Sequence, residues 1–218
     1  MTNSSLIDLA SAALLLSGVF IASYNDLARQ GSLLRLQGLA LAAIAFLMAF
    51  EHNSLELWIV GLLVLVVRAI VLPGLVKSAA KRIPTEKDRS HSRVSNTTSL
   101  LISGASTIVA YLATIPLSHL DSSSTTKASS IGLALVLIGV QILITKRMAV
   151  GQIVGFLVLD NGIAAFGFLA TLGVPLLLEL GGSLDLLFAI LIMGALTDRM
   201  IVKFGTTDVD ELSELGDR

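Results

Sequence analysis

The chain has 218 residues, of which 54% are hydrophobic and 14% charged, with a formal net charge of -1. Soluble domains carry about 25% charged residues, so this composition reads as an integral membrane protein, and nothing in it points to a nucleic-acid partner. Cysteine is absent and the three histidines, His52, His91 and His119, fall in predicted loops without metal-ligand spacing. Disulfides, thiolate metal sites and iron–sulfur ligation are thereby excluded, no phosphate-cradling glycine loop is present, and no cofactor or metal is expected.

Windows of about 20 residues predict an all-α membrane protein of about seven transmembrane helices. The first spans roughly 5–24. No Lys or Arg precedes Leu6–Tyr24, so the positive leader of a cleaved signal is missing and the segment reads as a retained span. The second covers 33–50, with Arg35 near one end, where a long cationic side chain snorkels to the interface. The third covers 55–76. Glu56 sits at its outer end, solvated at the interface, and Arg68 lies inside it. A basic, serine-containing linker follows at 77–97, carrying Lys77, Lys81, Arg82, Lys87, Arg89 and Arg93. It divides a three-helix unit, 1–76, from a four-helix unit, 98–203.

The fourth span covers 98–117, and the serine-rich run 121–130 reads as a loop. The fifth and sixth spans, 129–145 and 149–171, are joined by a tight turn holding Lys146 and Arg147, which read as topology signals. The seventh covers 176–203. The remaining 204–218 is an acidic tail in which Val209, Leu212 and Leu215 share one face, either a docking helix or a frayed end. Basic loops fall on alternate connections, so the N-terminus is expected outside and the C-terminus in the cytoplasm. Short similarities between spans one to three and five to seven, such as Ala43-Ile44-Ala45-Phe46 with Ile163-Ala164-Ala165-Phe166, hint at an internal repeat.

Asp160 stands at the middle of the sixth span. A charge there costs roughly 2.5–3.5 kcal/mol of insertion free energy, so a compensating gain is expected. Asn161 follows it. Polar side chains join membrane helices by hydrogen bonds, and an amide suffices for that. A carboxyl adds a group that can gain and lose a proton. Asp160 is therefore either helix glue or a proton-handling acid, and the adjacent Asn161 favours the second. Asp185, in the seventh span, is either a second step for a proton at similar depth or the partner of a buried cation. Arg68 is the available cation; it either snorkels or pairs with a buried acid. Glu179, near the outer end of the seventh span, is either solvated at the interface or part of the same path. Gly151 and Gly155 form a small-xxx-small pair that permits close helix packing.

The stretch 139–163, GVQILITKRMAVGQIVGFLVLDNGI, resembles the K subunit of respiratory complex I and the C subunit of Mrp-type antiporters. Those proteins have a tight basic turn, a paired glycine motif and a buried Glu followed by Asn. Asn161 matches that Asn, the family Glu would fall at Leu157, and Asp160 lies one helical turn later, on nearly the same face. Length, the seven spans, that stretch and the run 204–212, FGTTDVDEL, together resemble hydrogenase-4 component E over essentially the whole chain. The resemblance implies a non-redox subunit of a complex I-like, proton- or sodium-translocating membrane module. Its partners would be antiporter-like and other membrane-arm subunits, peripheral redox subunits such as those of a hydrogenase or formate-oxidising enzyme, and the lipid bilayer. The location would be the bacterial cytoplasmic membrane. The rival expectations are a small self-sufficient proton-coupled transporter and a purely structural scaffold.

Overall fold

A computed structural model describes residues 3–80, 92–120 and 124–171, together with 181–182, 189–192, 194–195 and 199. Its named elements are seven α-helices and one π-helical segment: α1 (Asn3–Ser23), α2 (Leu27–His52), α3 (Leu55–Val64), the π segment (Leu65–Val71), α4 (Leu72–Ala80), α5 (Asn96–Leu120), α6 (Ser124–Thr145) and α7 (Ala149–Thr171). α3, the π segment and α4 run on as one span. Among the described residues five helical stretches are long and apolar enough to cross a bilayer, Asn3–Ser23, Leu27–His52, Leu55–Ser78, Asn96–Pro116 and Ala149–Ala170, and Ser129–Thr145 is a shorter apolar helix. The chain is a multi-pass membrane protein. The predicted seventh span, with Asp185 and Glu179, lies for the most part outside the described residues, as do most of the basic linker and the acidic tail.

Two boundaries differ from expectation. The run read as a serine-rich loop is helical from Ser124 onward, because hydroxyl residues that favour loops are also favoured at helix starts. α2 starts at Leu27 rather than near residue 33. Asp26 caps it: the backbone is extended there, and the Asp26 carboxylate accepts the Ala28 N–H at 2.9 Å, satisfying a donor that a helix start leaves free. At the other end Asn53 takes the left-handed conformation, with φ 47° and ψ 42°, where asparagine is tolerated. Ser54 then caps α3 by accepting the Leu57 N–H. Two adjacent residues thus stop one span and start the next.

The helices either side of the linker pack together. α1 lies against α2, α5 and α6, while α2 lies against α3, the π segment, α4 and α7. α6 and α7 form the most extensive pair, and glycines explain why. A Cβ at Gly132 or Gly139 of α6 would come within 2.3–2.6 Å of backbone atoms of Phe166 or Leu159. Across the same seam, a Cβ at Gly155 or Gly162 of α7 would meet backbone of Leu143, Val136 or Gly132 at 2.6–2.9 Å. On each helix these glycines are seven residues apart, two turns of a packed pair, and small residues let membrane helices approach closely. Of the glycine pair singled out in the sequence, Gly155 lies on this seam together with Gly162, while Gly151 is buried a turn earlier. α5 is held to α6 by Gln141, whose Nε2 donates to the Ser99 carbonyl at 2.9 Å and whose Oε1 accepts from Ser103 Oγ at 3.0 Å. The outward face of α5 carries exposed Leu101, Ile108, Tyr111 and Leu112, as an apolar environment requires.

Candidate functional site: a buried ion pair between the third and seventh helices

Asp160 is the middle residue of α7, and Arg68 lies just past the middle of the Leu55–Ser78 span. The two meet. The Arg68 guanidinium donates through Nη1 to Asp160 Oδ2, forming an ion pair in which the Arg68 side chain is 3% exposed and that of Asp160 20%. The same Nη1 reaches Asn161 Oδ1 at 3.0 Å. Asn161 in turn donates through Nδ2 to Gln37 Oε1 of α2 at 3.0 Å. Gln37, Arg68 and Asn161 are all buried. The result is one polar chain across three helices, Gln37–Asn161–Arg68–Asp160. A charge within the bilayer is tolerated when it is paired and hydrogen-bonded, and each member here meets another.

The local backbone of the π segment serves Arg68. From Val64 onward a buried row runs at steps of four through Arg68, Leu72 and Val76, with Ala69 buried beside it. A step of four overshoots a 3.6-residue turn by about 40°, so three such steps would carry the stripe about 120° around a regular helix. The π segment between Leu65 and Val71 absorbs that drift, with the Leu72 N–H bonding back five residues to the Val67 carbonyl. π turns are one-residue insertions within a helix, and this one keeps Arg68 and Leu72 both turned inward. Pro73, which lacks an N–H, leaves a carbonyl one turn earlier without a helical donor, and so favours irregular pairing here. Gly38 of α2 completes the arrangement. A Cβ at Gly38 would lie 2.5 Å from the Arg68 carbonyl oxygen and 2.6 Å from Ala69 N, so only glycine lets α2 approach the π segment this closely. Gly18 of α1 makes room chiefly for the Leu135 side chain, whose Cδ2 would lie 2.4 Å from a Cβ there, with Gln37 Nε2 at 3.2 Å.

Of the expected site residues, Asp160, Asn161 and Arg68 thus come together, with Arg68 paired rather than snorkelling. Asp185 and Glu179 lie outside the described residues. Arg35 and Glu56 are exposed. Gln37 and Gly38 were not anticipated; a glutamine followed by glycine inside an apolar span was the available signal.

No family model matches the chain, and no solved structure matches it. Uncharacterized protein Rv0085 of Mycobacterium tuberculosis is 42% identical over 214 residues, covering 98% of this chain and 97% of that protein. The chain belongs to the Rv0085 family. This Rv0085-family chain is also similar to hydrogenase-4 component E of Escherichia coli K12 and of Shigella flexneri, each 21% identical over 215 residues and matched over 99% of both chains. The whole-chain resemblance to hydrogenase-4 component E is thus met by a match along both chains at low identity.

One further polar site ties the Rv0085-family bundle together at the end where the α6–α7 turn lies. Lys146, read from sequence as a topology signal, is 1% exposed. Its Nζ donates to the Tyr24 carbonyl at 2.9 Å and to Asn25 Oδ1 at 2.8 Å. Asn25 donates to Asn96 Oδ1, and the Arg93 N–H donates to the Thr145 carbonyl at 2.8 Å. The α1–α2 turn, the start of α5 and the α6–α7 turn are thereby joined. Burial lowers the Lys146 ammonium to about 8, since desolvation disfavours the charged form.

Proposed function

We propose that the chain is a non-redox membrane subunit of a complex I-like assembly that moves protons or sodium ions, coupled to a peripheral oxidoreductase. The observation that carries this reading is the Arg68–Asp160 pair at mid-span, linked to Asn161 and Gln37. An intramembrane ionisable residue marks an ion or proton pathway by default. A carboxylate held by an arginine and an amide is a group that can exchange a proton when the pair opens, with Arg68 offsetting its charge. Asp185 supplies a second step in this reading, and Glu179 its outer end. The similarity to hydrogenase-4 component E supports membrane-arm partners. The catalytic redox chemistry belongs to those partners. The N-terminus lies outside and the C-terminus in the cytoplasm, an orientation supported by the basic residues gathered at the end where Lys146 joins the α1–α2 turn.

The test is Asp160→Asn in the native assembly. The amide keeps an acceptor for Arg68 but cannot release a proton at physiological pH. Ion movement is followed with a pH-sensitive dye in inverted vesicles, and assembly by native gel. Loss of ion movement with the complex intact is the expected result. Unchanged ion movement, or loss of assembly alone, would leave Asp160 as helix glue.

A further inference from the structure

A second site lies where three span ends meet. α1 ends at Ser23, α2 starts at Leu27 and Lys77 is the penultimate residue of the Leu55–Ser78 span. Between them is a groove of about 490 Å³ lined by Tyr24, Ala28, Arg29, Ser32 and Leu33. Its polar groups are placed rather than scattered. The Arg29 guanidinium lies over the Tyr24 ring, 5.6 Å from its centre, while Arg29 Nε contacts Asp26 Oδ2 at 3.3 Å. Lys77 crosses Gly31, where a Cβ would come 2.9 Å from its Cγ, and brings its Nζ to Ser32 Oγ at 3.2 Å. Arg29 and Ser32 line the groove, the Lys77 ammonium reaches its edge at Ser32, and Asp26 is the carboxylate held by Arg29, so these three charges sum to one positive charge.

The groove has an apolar continuation. Leu36, 45% exposed, and Leu39, 50% exposed, follow Leu33 along the outward side of α2. Cationic groups and a tyrosine at a span end, with leucines running on towards the span centre, match a molecule that is anionic at one end and hydrocarbon at the other. Such groups mark the headgroup level of a bilayer.

We propose that this groove binds one anionic glycerophospholipid. Its phosphate lies between Arg29 and Lys77, beside the Ser32 hydroxyl that holds Lys77, and an acyl chain lies along Leu33, Leu36 and Leu39. The proposal uses only the membrane placement of the chain and is independent of any ion path through Asp160.

Native mass spectrometry of the full chain, with any subunits that leave the membrane with it, tests the site using phosphatidylglycerol and phosphatidylcholine at equal concentration. Phosphatidylglycerol should be retained in preference. Each cation near a membrane surface is worth roughly a fivefold change in binding, so Arg29→Gln with Lys77→Gln should weaken retention about 30-fold. Arg29→Lys with Lys77→Arg should keep the preference, and this pair decides the matter if the glutamine variant fails to fold. Equal retention of the two lipids, an unchanged glutamine variant, or loss of preference in the charge-keeping variant would overturn the proposal. Displacement by millimolar inorganic phosphate would also overturn it, by assigning the groove to a soluble anion.

Discussion

Replacing Gly38 with alanine puts one methyl group where α2 touches the π segment. That Cβ would stand 2.5 Å from the Arg68 carbonyl oxygen and 2.6 Å from both Arg68 C and Ala69 N. Ordinary contact begins at 3.4 Å, so the two helices must part by about 0.8–0.9 Å, and the atoms in the way are backbone that cannot rotate aside. Overpacking of this kind costs about 1–3 kcal/mol. For a chain of this length the middle of that range corresponds to a melting temperature lower by about 4–8 °C. The displacement also draws Arg68 from Asn161 Oδ1, now 3.0 Å away. Gly104→Ala is the control: a Cβ at Gly104 of α5 meets nothing within 4 Å, and the change should stabilise the helix by up to about 1 kcal/mol. Thermal unfolding in detergent, followed by helical circular dichroism, compares the two. Equal melting temperatures for Gly38→Ala and the wild type would refute the close approach at the π segment.

The ion pair gives a second prediction. Arg68→Met leaves a buried carboxylate without its cation, and Asp160→Leu leaves a buried guanidinium without its anion; each should destabilise by about 3–5 kcal/mol. The double variant should cost less than the sum, and strictly additive losses in a denaturation cycle would contradict the pairing. Lys146 gives a third. Its folded-state value of about 8 lies below the ordinary lysine value of 10.5, so between these values the unfolded chain binds more protons than the folded one and stability rises with pH. Below about 8 the ammonium is charged in both states and the full penalty of burying it is present. A neutral amine still has two hydrogens for the Tyr24 carbonyl and Asn25 Oδ1. The wild type should therefore gain thermal stability from pH 7.5 to 9.5 relative to Lys146→Gln, and parallel pH profiles for the two would count against a buried lysine.

Much of the bundle was legible in hydropathy because a bilayer makes length and apolarity decisive. The span 149–171 coincides with α7, and the spans near 5–24, 55–76 and 98–117 match helices within a few residues. Asp160 was legible for the same reason, as a carboxylate that an apolar helix has no local use for. Its pairing with Arg68 was legible only as one of two alternatives, since the choice depends on helical register, and a π turn alters register without any sharp sequence signal. Gln37 and Gly38 owe their importance to that register too. The burial of Lys146 was not legible, because a lysine in a short turn carries the same signature whether it faces water or plugs a neighbouring turn. Its acceptors, Tyr24 and Asn25, are 122 and 121 residues away in sequence. Glycine spacing pointed to Gly151 and Gly155 through a four-residue motif, whereas the contact surface with α6 repeats every seven residues, through Gly155 and Gly162.

The π segment has a mechanical consequence. Converting its wide turn into ordinary α turns would rotate everything beyond it by about 100°, one residue's worth. Arg68 would then swing away from Asp160 while α3 stayed where Ser54 caps it. The ion pair thus depends on the turn geometry of seven residues, Leu65–Val71, as much as on the packing of the helices that carry it.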